Sequence, residues 1–70
     1  MNAEQLAKKI QKETAQHDKF LNGRTVLSLQ KEMVLDWLLW QDESIPVEKI
    51  LGTAKQASKI LYSEHYNLTT

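Results

Sequence analysis

The chain contains no cysteine. That excludes disulfide staples and every thiolate ligand for a structural zinc, two devices that often hold a domain of this size together. It has one proline and two glycines, so few places compel the backbone to turn. Nor is there a surplus of charge of either sign, since nine basic and nine acidic residues give a formal net charge of zero. Nucleic-acid binders draw most of their affinity from neutralising phosphates and usually carry a basic excess, so this balance weighs against that class. No cationic start followed by an apolar run marks a secretory signal, and no stretch approaches the ~20 apolar residues of a membrane span. Repeats, low-complexity tracts and strand-like alternation are also missing. The expectation is one cytoplasmic domain over residues 1–70, without cofactor or metal. A chain this short buries only about 60% of the surface its unfolded form exposes, which leaves idealised helix packing or oligomerisation to supply stability.

What the chain does have is apolar surface concentrated in one place. Met33-Val34-Leu35-Asp36-Trp37-Leu38-Leu39-Trp40 holds both tryptophans, and each large aromatic removes about 150–250 Å² from water when buried. Asn22-Gly23 reads as a helix stop, because both residues tolerate the left-handed conformation that closes helices. Asp42-Glu43-Ser44-Ile45-Pro46 reads as a loop into a new helix, with proline acceptable in the first turn. Three helical segments result, at about 2–21, 27–41 and 46–66, with the tail 67–70 expected to fray.

Stepping about 100° per residue tests each segment for a face. In the first, Ala3, Leu6, Ala7, Ile10, Thr14 and Leu21 share a narrow arc with His17, opposite Lys8, Lys12 and Lys19. In the second, capped by Thr25 or Ser28, Val26, Leu27, Leu29, Met33, Val34, Trp37, Leu38 and Trp40 spread over roughly 180°, and Leu35 and Leu39 add apolar area on the far side. One neighbour needs a stripe of only about 100°. This helix is therefore expected to be central, meeting two neighbours and a third from another chain. In the third, Val47, Ile50, Leu51, Ala54, Ala57, Leu61 and Tyr62 form the stripe, with Ser58 and His65 within it. Its alanines make a shallow middle suited to the tryptophans. The fold expected is an all-α three-helix antiparallel bundle dimerising through its central helix.

Chemistry is sparsely written. His17 and His65 read as packed rings with wet tips, since no HExxH-type spacing supplies further metal ligands. Ser28-Leu29-Gln30-Lys31 has the S-x-x-K spelling of some acyl-transferring serine enzymes, but its place at a helix start makes a cap the better account. Asn67-Leu68-Thr69 spells a glycosylation acceptor that, without a signal segment, is not expected to meet the machinery. The leading expectation is a non-enzymatic interaction module, a regulator, inhibitor or adaptor, that forms a homodimer and binds another protein through Leu35, Leu39 and Trp40. The alternative is a dimeric helix-turn-helix-like DNA-binding regulator. It would turn at Gly52, read bases with Lys55, Gln56 and Lys59, and touch phosphates with Arg24 and Lys31.

Overall fold

A computed structural model describes residues 1–16 and 25–69, with the side chains of residues 67–69 outside the description. The architecture is an all-α three-helix bundle: α1 (Ala3–Gln16), α2 (Val26–Leu39) and α3 (Val47–Thr69), each packed against the other two.

Local chemistry explains where each helix starts. Asn2 and Gln5 bridge the start of α1 reciprocally: the Gln5 amide donates to Asn2 Oδ1 at 2.9 Å, and the Asn2 amide donates to Gln5 Oε1 at 3.0 Å. This is a capping box built from amides, and it satisfies two of the orphan donors of a helix N-terminus. Thr25 caps α2 from an extended conformation (φ −82°, ψ 155°), its hydroxyl oxygen accepting from the Ser28 amide at 3.0 Å. The cap expected at Thr25 or Ser28 is thus Thr25. Pro46 stands one residue before α3, and its carbonyl accepts from the amides of Lys49 and Ile50.

The helices run up, down, up. Met1 shares a small cavity with Trp37 and Gln41 at the end of α2 and with Lys49 and Ile50 at the start of α3. At the opposite end, Thr14 shares one with Val26, Gln30, Leu61 and His65. The core between these ends consists of Leu6, Ala7 and Ile10 from α1, Val34 from α2, and Ala54, Ala57 and Leu61 from α3. Ala7 and Ala57 are sealed from solvent. Small side chains at those positions let backbones approach closely, as dense interiors require. Thr14 is buried with its hydroxyl donating to the Ile10 carbonyl at 2.6 Å, so a polar group in the core costs little.

Three expectations need correction. The tryptophan helix is not the enclosed centre of the bundle, because only Gln30 and Val34 of α2 are buried, against four residues of α1. A bundle of three has no central member: each helix touches two others, and α2 carries more apolar girth than two contacts can cover. The stripe expected on α3 is only partly covered. Ala54, Ala57 and Leu61 are buried, whereas Val47, Leu51 and Tyr62 are more than half exposed. Finally, the helix continues to Thr69 rather than fraying after residue 66. The expectations for His17, Leu21, Asn22-Gly23 and Arg24 fall outside the described residues.

Gly52 lies within continuous α3 and is exposed, and a Cβ built there meets nothing within 4 Å. Glycine in a helix interior costs roughly 0.5–1 kcal/mol relative to alanine, through backbone entropy. Gly52→Ala is therefore expected to raise the thermal midpoint by about 2–8 °C for a domain of this size. A melt followed by circular dichroism checks this, and an unchanged or lowered midpoint would contradict it.

Candidate interaction surface

The site is built on the outer side of α2. Lys31, Leu35 and Leu39 succeed one another at four-residue spacing, which places them along one ridge of a helix. The face towards the bundle belongs to Gln30, Val34, Trp37 and Leu38, all buried or half-buried. The ridge faces away from it: Leu35 is 59% exposed and Leu39 80%. Trp40, just past the helix end, is 85% exposed, while Trp37 packs half-buried against the core. Of the two indoles, only Trp37 packs against the core. Val47 (67%) and Leu51 (55%), across the connecting loop, add to the exposed apolar area at this end.

The turn beyond Trp40 is held by its own hydrogen bonds. Gln41 Nε2 donates to the Trp37 carbonyl at 2.6 Å, occupying one of the helix's open acceptors. The Asp42 carboxylate accepts from the Ser44 amide at 2.9 Å. Bonds from the Ser44 backbone and then its side chain favour the ionised form and hold Asp42 below the ordinary carboxylate pKa. Asp42 and Glu43 are both exposed. The apolar corner of Leu39 and Trp40 therefore ends in a fixed, acidic turn.

Between α2 and α3 lies an open groove of about 470 Å³. Leu27, Val34, Leu61 and Tyr62 give it apolar walls, and Lys31, Lys55 and Lys59 stand along it with no carboxylate among the lining residues. The charges of this neutral chain are thus segregated locally: cations at the groove, anions at the turn. Gln30 also lines the groove; its side chain is 6% exposed and its Oε1 has no hydrogen-bond partner. An orphaned buried acceptor costs about 1–3 kcal/mol. Replacing Gln30 by the near-isosteric methionine is expected to stabilise the fold by about 1 kcal/mol, seen as a midpoint about 4–8 °C higher. A lower midpoint would show that the carboxamide contributes more than it costs.

Sequence reasoning singled out Leu35, Leu39 and Trp40, and all three are exposed: Leu35 and Leu39 on the outer ridge of α2, Trp40 just past its end, beside a cavity it shares with Leu6, Lys9 and Ile10 of α1. It placed Lys55, Gln56 and Lys59 on a recognition helix after a turn at Gly52. The three are exposed on α3, but α3 passes through Gly52 unbroken, so the turn that a helix-turn-helix requires is not formed there. What it missed is that Lys31 of α2 joins Lys55 and Lys59 of α3 around one groove. No periodicity within either segment reports that, because it depends on which flanks of the two helices meet. Buried Gln30 was detectable: it stands four residues from both Val26 and Val34, inside the apolar arc.

Among the described residues no group of three or more His, Cys, Asp or Glu side chains is arranged to hold a metal ion, and no helix is long and apolar enough to cross a membrane. His65 is half-buried at the far end of the bundle, and His17 lies outside the described residues. No family profile, curated protein or solved structure shows significant similarity to this chain.

Proposed function

We propose that the chain is a small, non-enzymatic protein-interaction module that works through the outer face of α2, pairing with a second copy of itself and binding another protein as a regulator, inhibitor or adaptor. A cytoplasmic setting suits it, since a chain without cysteine loses nothing in a reducing compartment. The observation that supports the reading is the exposure of Leu35, Leu39 and Trp40 together on one end of one helix. Single exposed leucines are ordinary. Three large apolar side chains exposed at the end of one helix, an indole among them, have the composition of an interface, where tryptophan is enriched and burial of a central aromatic carries much of the binding energy.

The test is mass in solution. Sedimentation at micromolar concentration is expected to give a mass well above the 8.1 kDa of one chain. Leu35→Lys combined with Leu39→Lys is expected to yield a monomer that melts lower, because association stabilises the folded state by mass action. Both positions are exposed, so the charges are not forced into the core. A wild-type mass of 8.1 kDa at every concentration would sink the reading of a self-associating face.

A further inference from the structure

We infer that the homodimer is assembled by two reciprocal contacts, in which the acidic corner of α2 in one copy seats on the lysine-rimmed α2–α3 groove of the other. The inference rests on the self-association reading and adds the partner surface and its chemistry.

Both halves of such a contact are present on one chain. The corner offers exposed Leu39 and Trp40 followed by Asp42 and Glu43. The groove offers apolar walls with Lys31, Lys55 and Lys59 and no carboxylate. Each carries the charge the other lacks, which is what steers association and fixes register at an interface. Leu35 lies between them on α2, one turn from Lys31 and one turn from Leu39. If two α2 helices cross antiparallel at Leu35, four residues to one side meet four to the other, and Leu39 comes beside the partner's Lys31. Leu39, the last residue of α2, lies about 6 Å along the axis from Leu35 at ~1.5 Å per residue, and the acidic turn begins three residues further on. That brings the acidic turn to the stretch of groove flanked by the partner's Lys31 and the partner's Lys59. A two-fold axis through this crossing makes the contact twice and closes the assembly, so the face is used up in a dimer rather than in an open chain.

Other occupants of the groove fit less of the surface. A phosphate-bearing polymer would meet the lysines yet leave Leu35, Leu39 and Trp40 in water. A purely apolar helix would cover the leucines and strand three ammonium groups at its edge. A second copy supplies a leucine, an indole and two carboxylates in one segment.

Charge reversal with rescue tests this. One variant carries Lys31→Glu and Lys59→Glu. The other carries Asp42→Asn and Glu43→Lys, asparagine being chosen to keep the acceptor for the Ser44 amide. All four positions are exposed, and circular dichroism checks that both variants remain helical and melt cooperatively. Each variant alone is expected to dimerise at least about 10-fold more weakly than wild type, since like charges then face each other across both contacts. An equimolar mixture is expected to recover a heterodimer, because every contact again pairs opposite charges. Raising salt is expected to weaken the wild-type dimer and to strengthen the residual association of each variant. If wild type is a dimer that both variants reproduce undiminished, this inference is overturned while the self-association reading stands, and the groove belongs to another occupant. Folded, monomeric variants that fail to recover on mixing also overturn it. A monomeric wild type overturns both.

Discussion

Leu6→Ala is expected to remove a large share of the stability of this domain, about a fifth at the least. Leu6 is 1% exposed and, with Ile10 and Leu61, is among the largest buried side chains of the described residues. Truncating a buried leucine costs about 2–5 kcal/mol, from lost transfer energy plus the cavity left behind. Domains are stable by roughly 0.05–0.15 kcal/mol per residue, which gives about 3.5–10 kcal/mol for a chain of this length. With each kcal/mol worth about 4–8 °C here, the midpoint should fall by about 8 °C at the least. A melt in the Leu35→Lys/Leu39→Lys background separates this loss from any contribution of association. A fall of under about 4 °C would mean that the centre of the bundle is not where Leu6, Ile10 and Leu61 meet.

Ala57→Leu should damage the same centre by the opposite error. Ala57 is 0% exposed, with Ala54 and Leu61 beside it on α3 and with α1 packed across them. A leucine adds three carbons where the interior has no spare volume, and such overpacking costs about 1–3 kcal/mol through displaced helices and strained rotamers. Ser63→Leu is the control: it puts the same side chain on an exposed position of the same helix and should shift stability by no more than about 0.5 kcal/mol. Denaturant titration of the two variants checks the contrast. Equal effects would show that Ala57 is dispensable to close helix packing.

The two experiments also mark how far the sequence could be read. The stripe of α1 was legible because Leu6, Ala7, Ile10 and Thr14 repeat at three- and four-residue spacing against an opposing row of lysines, and those four are the residues of α1 that are buried. On α2 the same procedure found too many apolar residues for any one direction. It correctly set Leu35 and Leu39 apart, since both lie opposite the arc that holds Val34 and Trp37. It also put Trp40 at the edge of that arc, beside the loop, as an interface candidate; what the wheel did not give is that α2 ends at Leu39, so that Trp40 stands just past the helix. On α3 it drew the stripe too wide: Val47, Leu51 and Tyr62 remain more than half exposed, Tyr62 along the groove shared with α2. Periodicity registers a side chain's angle about its own axis. Whether a neighbour reaches that angle depends on helix spacing.

The number of helices, their type and the buried face of α1 follow from the order of residues alone, because local hydrogen bonding and apolar spacing act within a turn or two of the chain. So does the surplus of apolar girth on α2, which is a property of composition at fixed period. Only the tertiary structure decided that this surplus faces outwards. Three helices arranged up, down and up leave each with two neighbours, and α1 and α3 bury Ala7, Ala54 and Ala57 in that arrangement while Leu35, Leu39 and Trp40 stay in solvent. It alone, too, brought Lys31 beside Lys55 and Lys59, residues more than twenty positions apart that share a groove because two helices lie side by side.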